Sequence, residues 1–475
     1  MEKHLLSKST FIRAVQCEKS LYLHKKRPYL RDKLSAAQRA RFARGTRVGI
    51  LARDLFPGGT DMAPKSPFQY QKAVVNTRKA IEQNKNVIYE ASFQYDRLLV
   101  ILDVLVNHQG KLYAFEVKSS KKITKTYLQD IAFQYHVITN AGIELEDISI
   151  VHVNPDYVFS GELLPNELFV CKSLKSQVLK IQKELIDKAE AAKAVLNLEK
   201  SPAVDIGQHC FNPYDCDFIG HCWKHIKKNS VFELRHLSPK QQFEFYHNGL
   251  VYIKDLPLNA LSETGEKEYR AYVQGKPYCN WNRINVFRSA SKEAYYLLEI
   301  IFIRPAVPVV KNTSPYELLP AMLKVMDNNN MTVFEWEMDP ENIDFERFNK
   351  ILQQINASGK PLYIFNDDQD QIEFIRKRAG IKLLNIYDLF AELDYIDSRL
   401  QGNIKPFNLA DTLLNENPFT LKDITDQHIA GIIMERLLEM DTRPKQKTIS
   451  DKVNKYLDQF LEFEAGMVKF VNELI

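Results

Sequence analysis

Apolar side chains recur at helical spacing through the first 55 residues of the chain. In LSKSTFIRAVQCEKSLYLHKK the positions of Phe11, Val15 and Leu21–Leu23 follow a helical period. Ser7 or Ser9 can cap the start of this helix. The same spacing continues through AAQRARFARGTRVGILARDLF and stops at a Pro-Gly-Gly turn. We therefore predict a helical N-terminal segment.

From residue 87 the pattern changes to runs of β-branched and aromatic residues. VIYEASFQY, RLLVILDVLVNH and KLYAFEVK have strand composition, and NHQG between the last two indicates a hairpin. TKTYLQDIAFQYHVITNAG predicts a helix that ends at Gly142, and ISIVHVNP predicts another strand. A long polar helix, SLKSQVLKIQKELIDKAEAAKAVLNLEK, follows. The order is helices, antiparallel strands, helix, strand, helix.

After Trp223 the composition shifts, and a second folded region begins. VFELRHLSPKQQFEFYHNGLVYIKDLP predicts a small helical connector, and strand-like runs at 295–303 and 361–366 alternate with helical stretches. This alternation favours a second α/β domain. We predict an α/β (α+β) chain with three regions, 1–228, 229–290 and 291–475.

Composition is that of a soluble globular protein, with 45 % hydrophobic and 26 % charged residues in a chain of 475. We see neither an apolar run long enough to span a bilayer nor a signal-peptide pattern, so we expect a cytoplasmic protein without a membrane partner. The net charge of +4 is unevenly distributed. Residues 1–230 hold 35 basic and 24 acidic residues, and the remainder holds 29 and 36.

The basic excess of the first region fits binding to nucleic-acid phosphates, although a solvated basic surface explains the charge alone equally well. Arg41, Arg44 and Arg47 are three residues apart and lie near one another on a predicted helix. We expect these arginines to guide a nucleic-acid strand.

Two acids and a lysine interrupt the apolar strands of the predicted hairpin. Glu116 and Lys118 are two positions apart, so they project from the same face, and Asp103 can lie beside them across the hairpin. Two carboxylates at a sheet edge suit Mg²⁺ or Mn²⁺, and the lysine can stabilise charge on a phosphate or orient the attacking water. An ordinary surface ion pair on a hairpin is the alternative.

This arrangement resembles the PD-(D/E)XK nuclease superfamily, and specifically its RecB-like branch, whose core is a restriction-endonuclease-like fold preceded by helices. Asp103 matches the aspartate of the first signature, and Glu116 and Lys118 match its ExK. The resemblance implies a metal site at Asp103, Glu116 and Val117. Gln134 is similar to the helix glutamine that holds the DNA or the geometry of the active site in that branch.

Three further residues bear on the resemblance. Asp130 is one helical turn before Gln134, on the same face. Glu90 could approach the metal, or it is an ordinary strand glutamate. Gly49, in GTRVG, stands where relatives often have a histidine, which puts a second metal or a manganese preference in doubt.

Half of the six cysteines lie in one short segment, HCFNPYDCDFIGHCW, where Cys210, Cys216 and Cys222 are six residues apart. Members of the RecB-like branch with an iron–sulfur staple take one cysteine from the first helix and three from a cluster after the core. The resemblance therefore implies a structural 4Fe–4S cluster on Cys17 and these three thiols. The relatives' spacing of two and then five intervening residues differs from the five and five found here.

Zinc is the rival ligand of the cysteine segment, with His209 or His221 able to replace one thiol. Buried cysteines without a ligand are the remaining alternative. Cys171 and Cys279 have no such neighbours in the sequence, and we predict that both are core residues.

The C-terminal region resembles an RNase-H-like, DEDD-type exonuclease domain that an uncharacterised bacterial family fuses to this nuclease. Glu299 matches one member of the first acidic pair, but Ile301 stands where the other would be. Later candidates that the pattern offers are Asn366, Asp370 and Asp388, whereas Phe463 falls about where the last aspartate should stand. We therefore expect a degenerate, catalytically silent domain kept for scaffolding, nucleic-acid binding or protein contacts.

Taken together, these features predict a metal-dependent DNA nuclease with a structural iron–sulfur cluster. A non-catalytic nucleic-acid-binding or scaffold protein that keeps the nuclease fold is the alternative from another class. An RNA-directed enzyme is a further alternative, since nothing in the sequence indicates recognition of the 2′-hydroxyl.

Overall fold

The computed structural model describes residues 3–380, 383–421, 423–439 and 443–475, and the chain divides into two compact units. Unit 1 comprises Met1–His225 and Ala306–Tyr316, and unit 2 comprises Ile226–Pro305 and Glu317–Ile475. Helices and strands are mixed in both units, which confirms the predicted α/β class. The division into three regions stays a prediction.

Unit 1 is built on one sheet with helices on its faces. Its strands are β1 (Leu6–Ser7), β2 (Thr60–Asp61), β3 (Val87–Tyr95), β4 (Leu98–His108), β5 (Lys111–Lys118), β6 (Leu145–Val153) and β7 (Phe169–Ser173). Its helices are α1 (Lys8–Gln16), α2 (Glu18–Lys26), α3 (Ala36–Ala52), α4 (Tyr70–Glu82), α5 (Lys125–Asn140), α6 (Pro165–Leu168), α7 (Lys175–Asn197) and α8 (Ile219–Cys222).

The strand order in this sheet is β2-β3-β4-β5-β6-β7, with the short β1 paired to β4. The strands β3, β4 and β5 are antiparallel neighbours, β6 runs parallel to β5, and β7 is antiparallel to β6. The predicted hairpin is therefore the β4–β5 pair. It lies in the middle of the sheet, so the predicted sheet-edge position of the acids is wrong.

Side chains of β5 alternate between the two faces of the sheet, as strand geometry requires. Phe115 and Val117 pack with Val48 and Ala52 of α3. Ala114, one position before Phe115, belongs to the larger core formed with α1, α5 and α7. Glu116 and Lys118 are two and four positions after Ala114, so their side chains lie on the same face of the strand and point toward α1 and α5.

The segment Ala306–Tyr316 completes the smaller core of unit 1. Ala306 is 3 % exposed and packs with residues of α3 and β6. Phe159 donates its backbone N–H to the carbonyl of Thr313 at 3.0 Å, and the Tyr316 hydroxyl bonds the carbonyl of Ser119. Unit 1 is therefore assembled from two separate stretches of the chain.

Unit 2 contains the remaining elements. Its strands are β8 (Tyr278–Cys279), β9 (Tyr296–Ile303), β10 (Leu319–Asp327), β11 (Thr332–Glu337), β12 (Leu362–Ile364), β13 (Leu383–Asn385) and β14 (Tyr395–Ile396). Its helices are α9 (Pro239–His247), α10 (Glu263–Gln274), α11 (Trp281–Ala290), α12 (Glu346–Ser358), α13 (Gln369–Ala379), α14 (Ile386–Ala391), α15 (Pro406–Leu413), α16 (Gln427–Glu435) and α17 (Arg443–Glu473).

The main sheet of unit 2 has the order β11-β10-β9-β12-β13. The first three strands are antiparallel to one another, while β12 and β13 run parallel to β9. Helix α16 crosses β9 at Gly431, where a Cβ would overlap the carbonyl of Phe302. In the first turn of the same helix, Gln427 bonds Glu299 of β9 at 2.9 Å.

Candidate active site and cysteine cluster

Asp103 and Glu116 come from adjacent central strands of unit 1. The regular pairing of β4 with β5 ends at Val104 and Phe115, and the Asp103 carboxylate then accepts the backbone N–H of Val117 at 2.6 Å. Because Val117 directly follows Glu116, this hydrogen bond holds Asp103 and Glu116 at neighbouring positions of the sheet. The arrangement matches the predicted proximity of Asp103 to Glu116 and Val117.

Glu116 is the centre of the group, with only 1 % of its surface exposed. Its Oε1 accepts hydrogen bonds from Lys8 at 2.6 Å and from Lys118 at 2.7 Å, and its Oε2 accepts one from Gln134 at 2.9 Å. An unpaired carboxylate would be costly to bury here. The two ammonium groups and the amide compensate for that cost.

Helix α5 presents Tyr127, Asp130 and Gln134 on one face, as their spacing of three and four residues requires. The Thr124 side chain caps the start of this helix. Asp130 accepts a hydrogen bond from Lys118 at 2.7 Å, and Lys118 also lies 5.3 Å from the centre of the Tyr127 ring. The lysine is therefore held between the strand acid, the helix acid and an aromatic ring.

Lys8 is a site residue that the sequence analysis missed. It lies one helical turn before Phe11, which is buried and stacks on Phe133 of α5 at a ring separation of 4.5 Å. That packing fixes α1 on α5 and directs Lys8 to Glu116. The only sequence signal for this role of Lys8 was its position three residues before Phe11, on the same face of the helix.

Charge and burial shift the pKa values of these groups in opposite directions. Burial, reinforced by the neighbouring Glu116 carboxylate, raises the pKa of Asp103. Burial also opposes ionisation of Glu116, but Lys118 and Lys8 outweigh it and lower the pKa of that carboxyl. Despite burial, Asp130 and Glu116 raise the pKa of Lys118 well above its usual value. The surroundings thus favour the ionised form of Glu116 and the cationic form of Lys118.

The group offers oxygen donors of the kind that Mg²⁺ and Mn²⁺ prefer. Asp130 Oδ1 and Gln134 Oε1 are buried and lack a hydrogen-bond partner. However, among the residues that the structure describes, no three His, Cys, Asp or Glu side chains are arranged to hold a metal ion. The donor chemistry fits a divalent cation. For Glu116 to bind it, at least one of the hydrogen bonds from Lys8 and Lys118 to Glu116 Oε1 must break.

Glu90 lies across from Asp103, at a break in the pairing of β3 with β4. Its neighbours Tyr89 and Ala91 pair with Val104 and Leu102. Glu90 has φ of 54°, and its carboxylate pairs with Arg53 at 3.2 Å. Its carboxylate is therefore engaged by an arginine.

The three predicted nucleic-acid arginines lie on α3 in different environments. Arg41 is exposed, whereas Arg44 and Arg47 are half-buried. The Arg44 guanidinium lies over the ring of Tyr316, 5.6 Å from its centre. Arg41 is therefore the most accessible of the three.

The four predicted cluster cysteines, Cys17, Cys210, Cys216 and Cys222, line a single cavity of unit 1. All four are free thiols. Burial raises the pKa of Cys17 to about 11, and the nearby Cys216 and Cys210 thiols add to the rise. Four thiolates cannot be held together without a cation, so this donor set fits a cluster or zinc. The thiols must reorient to bind it, since no metal-holding group is found among the described residues.

Polar contacts tie the cysteine segment to α1 and to Arg31, which follows α2. Asp217 pairs with Arg13 and with Arg31, each at 2.7 Å. The Gln16 side chain donates to the backbone carbonyls of His209 at 2.8 Å and Tyr214 at 2.6 Å. The segment is therefore docked by contacts that do not involve sulfur.

His209 and His221, the proposed zinc alternatives, differ in position. His209 lines the cysteine cavity, whereas His221 is not among its lining residues. The core positions predicted for Cys171 and Cys279 are wrong. Cys171 is exposed because it lies on β7, the last strand of the sheet, and Cys279 is partly exposed on the two-stranded β8–β14 pair.

Unit 2 buries a pair of glutamates where the sequence analysis expected an incomplete acidic site. Glu299 on β9 is 2 % exposed and accepts a bond from Gln427 at 2.9 Å. Glu464 on α17 is fully buried and accepts the backbone N–H of Phe365 at 2.7 Å. Each carboxyl has one oxygen without a partner. Glu464, next to the buried Phe463, was missed.

The other residues singled out in unit 2 have local polar partners. Asn366 and Asp388 both bond the side chain of Asn385. Its amide oxygen accepts the backbone N–H of Asn366, and its amide nitrogen donates to the Asn366 carbonyl and to the Asp388 carboxylate. Asp370 is exposed and pairs with Arg304 at 3.1 Å. Asn366 directly follows Phe365, whose backbone N–H bonds Glu464, so it lies one residue from a contact of the glutamate pair.

Comparison of the chain with protein-family models and with curated proteins gave no match. No helix among the described residues has both the length and the apolar character that crossing a membrane requires.

Proposed function

We propose that unit 1 is a metal-dependent phosphodiesterase. The observation that carries this proposal is Glu116, a buried and ionised carboxylate bonded by Lys118 and Gln134, with Asp103 beside it on the adjacent strand. Within that class, the ExK motif and the cysteine arrangement support a DNA nuclease of the PD-(D/E)XK superfamily, RecB-like branch.

Asp103, Glu116 and Val117 would hold Mg²⁺ or Mn²⁺ in this enzyme. When bound, such an ion polarises the phosphodiester and makes a water molecule a stronger nucleophile. Lys118 would stabilise the charge that develops on the phosphate oxygens while the bond from phosphorus to the leaving oxygen breaks. Asp130 and Gln134 position Lys118 and Glu116 through hydrogen bonds.

The cysteine segment would carry a structural 4Fe–4S cluster, with zinc as the alternative. A cluster on Cys17 and the three later cysteines closes a loop of nearly two hundred residues, which restricts the unfolded chain. Unit 2 would serve as a silent scaffold or a contact surface, because Ile301 and Phe463 stand where the resemblance places two carboxylates of a two-metal site.

A cleavage assay with Mn²⁺ tests the proposed activity. Labelled single-stranded DNA, duplex DNA and RNA are compared as substrates for the wild type and for Asp103→Asn and Lys118→Met. We expect DNA cleavage that each substitution reduces by roughly 100-fold or more. Lys111→Met is the matched control, since Lys111 lies on the same strand and is exposed in an ion pair with Glu146.

One observation favours a non-catalytic DNA-binding protein as the second candidate. Lys8 and Lys118 both occupy Glu116 Oε1, so the amines already neutralise the acid that a metal would need. Retained DNA binding with equal inactivity of the wild type and all variants supports this candidate. Cleavage that persists in Asp103→Asn contradicts the proposed enzyme.

A further inference from the structure

Lys8 and Lys118 share one carboxylate oxygen of the candidate active site, and they are held there unequally. Both ammonium groups bond Glu116 Oε1, Lys8 at 2.6 Å and Lys118 at 2.7 Å. Lys118 also bonds Asp130 at 2.7 Å and faces the ring of Tyr127. Among the residues that the structure describes, the one ion-pair partner of Lys8 is Glu116. Lys118 therefore keeps an acidic partner when Glu116 is taken by another cation, and Lys8 does not.

The backbone that carries Lys8 is fixed, so only its side chain has to move. The two residues of β1, immediately before Lys8, pair with the start of β4, the strand that also carries Asp103. The Ser7 N–H donates to the Thr10 hydroxyl at 2.8 Å, and that hydroxyl donates to the Ser7 carbonyl at 3.0 Å. The Lys8 side chain is 26 % exposed. Its flexible four-carbon stem can therefore carry the ammonium away from Glu116 while the backbone stays in place.

A divalent cation and the Lys8 ammonium repel each other when both lie against Glu116. Repulsion between like charges a few ångströms apart is strong where water is largely excluded. Metal binding therefore favours displacement of Lys8, which leaves this cation without its acid. The phosphate group of a phosphodiester is an anion whose oxygens a lysine binds as a point charge. The displaced ammonium then gains a new partner only when a phosphate is present.

We propose that Lys8 is a displaceable counter-ion of Glu116. A divalent cation takes its place on the carboxylate, and its ammonium then binds a non-bridging oxygen of the substrate phosphate. Metal binding and phosphate binding thereby strengthen each other, and the coupling is reciprocal. In the absence of both, the Lys8 ammonium neutralises the buried acid and lowers its affinity for metal. The inference rests on the proposed function and adds the regulation of the same site.

The first measurement is Mn²⁺ binding by the full-length protein without nucleic acid, followed by electron paramagnetic resonance of the free ion. Lys8→Met removes the competing cation and should bind Mn²⁺ about 10- to 100-fold more tightly than the wild type. Lys8→Gln keeps a neutral donor for Glu116 and should change the affinity in the same direction. Asp103→Asn should lose this binding, which identifies the site that is titrated.

The second measurement adds thymidine 3′,5′-bisphosphate, which carries phosphate groups but has no phosphodiester bond to cleave. It should tighten Mn²⁺ binding to the wild type at least about 5-fold more than to either Lys8 variant. The affinity of the bisphosphate itself for Mn²⁺ is the same in every sample. Thymidine without phosphate should have no effect.

Lys111→Met is the matched control for both titrations, because Lys111 is exposed on β5 and pairs with Glu146. It should stay within about 2-fold of the wild type, as expected for an exposed ion pair. The thermal unfolding temperature in EDTA shows whether each variant has folded.

Mn²⁺ affinity in the Lys8 variants that equals or falls below that of the wild type overturns the displaceable counter-ion. Equal tightening by the bisphosphate in the wild type and the Lys8 variants overturns the transfer of the ammonium to phosphate. Both results leave the nuclease proposal standing, because cleavage by the wild type is measured separately. Absence of Mn²⁺ binding in the wild type and in both Lys8 variants overturns both proposals.

Discussion

Glu116 and Glu464 are both buried carboxyl groups, and their surroundings determine opposite protonation states. Glu116 has two ammonium partners, so the pKa of its carboxyl falls. Burial and the neighbouring Glu299 raise the pKa of Glu464 well above its usual value, and burial does the same to Glu299. A buried acid without a cation holds its proton rather than its charge.

The glutamate pair of unit 2 predicts a pH-dependent stability. Because the pKa of Glu464 is raised in the folded state, its protonated carboxyl stabilises the fold fully below the unfolded-state pKa of 4.5. This stabilisation is lost as the pH rises toward the folded-state pKa. Glu464→Gln removes the ionisable carboxyl group and, with it, this pH dependence. We expect the free energy of unfolding of the wild type to fall relative to that of Glu464→Gln from about pH 5 upward, by at most about 1.4 kcal/mol per pH unit.

Urea unfolding at a series of pH values measures this difference. Glu462→Gln is the matched control, since Glu462 lies on the same helix and is exposed. It should follow the wild-type pH profile. Parallel profiles for Glu464→Gln and the wild type would contradict the raised pKa of Glu464.

At the residue scale, the sequence predicted contacts that follow from the period of a strand or helix. Glu116 and Lys118 share a face because they are two apart, and Asp130 and Gln134 because they are four apart. Lys8 reaches Glu116 from 108 positions away, and no local period encodes such a contact. Glu464 was missed because Phe463, one position earlier, was taken as the site of the last acid.

Helix α1 is the element that links the candidate active site to the cysteine cavity. Lys8 begins it and bonds Glu116, while Cys17 immediately follows its last residue, Gln16. A nine-residue helix is rigid over about 13 Å. The helix therefore joins the two sites directly.

Substitution of individual cysteines tests the cluster at this scale. Cys17→Ala and Cys216→Ala should each lose most of the bound iron and acid-labile sulfide and lower the thermal unfolding temperature, because ligation also closes the chain. Cys171→Ala and Cys279→Ala are matched controls outside the cavity and should keep the wild-type metal content. Elemental analysis of the purified proteins measures it.

Two results would decide against the iron–sulfur proposal. Stoichiometric zinc without iron in the wild type favours the zinc alternative. Equal metal content in all four cysteine variants means that the cysteine cavity holds neither an iron–sulfur cluster nor zinc.

The elements with long periodic patterns were predicted well, and the short ones were not. The central hairpin, α5 and α7 follow from composition and period over many residues. The five-residue β7 has too few positions for a period, and without it the exposure of Cys171 could not be foreseen. The pairing order that makes β4 and β5 central depends on strands distant in sequence.

At the scale of the whole molecule, the basic excess in residues 1–230 predicts salt-dependent binding. Each phosphate contact contributes about 0.7 to the slope of log affinity against log salt for single strands. Arg41→Ala should weaken single-strand binding and lower the magnitude of that slope by about this amount. Titrations by fluorescence anisotropy from low to high salt measure it.

Arg78→Ala provides the control for this prediction. Arg78 is also a well-exposed arginine of unit 1, 70 % accessible on α4, but its partner is Glu82 of the same helix. Its substitution should leave the slope within error of the wild type. An equal decrease in both variants would indicate diffuse attraction by the whole basic surface.

The return of Ala306–Tyr316 to unit 1 has a practical consequence for dissecting the protein. A chain cut after residue 225 would keep every candidate catalytic and sulfur ligand, yet it would lack Ala306 of the α3 core and the hydroxyl that bonds Ser119, one residue after Lys118. Weak activity of such a fragment would then reflect a damaged scaffold. To study unit 1 apart from unit 2, the segment Ala306–Tyr316 has to be attached to the fragment. Alternatively, inactivating substitutions can be made in the full-length protein.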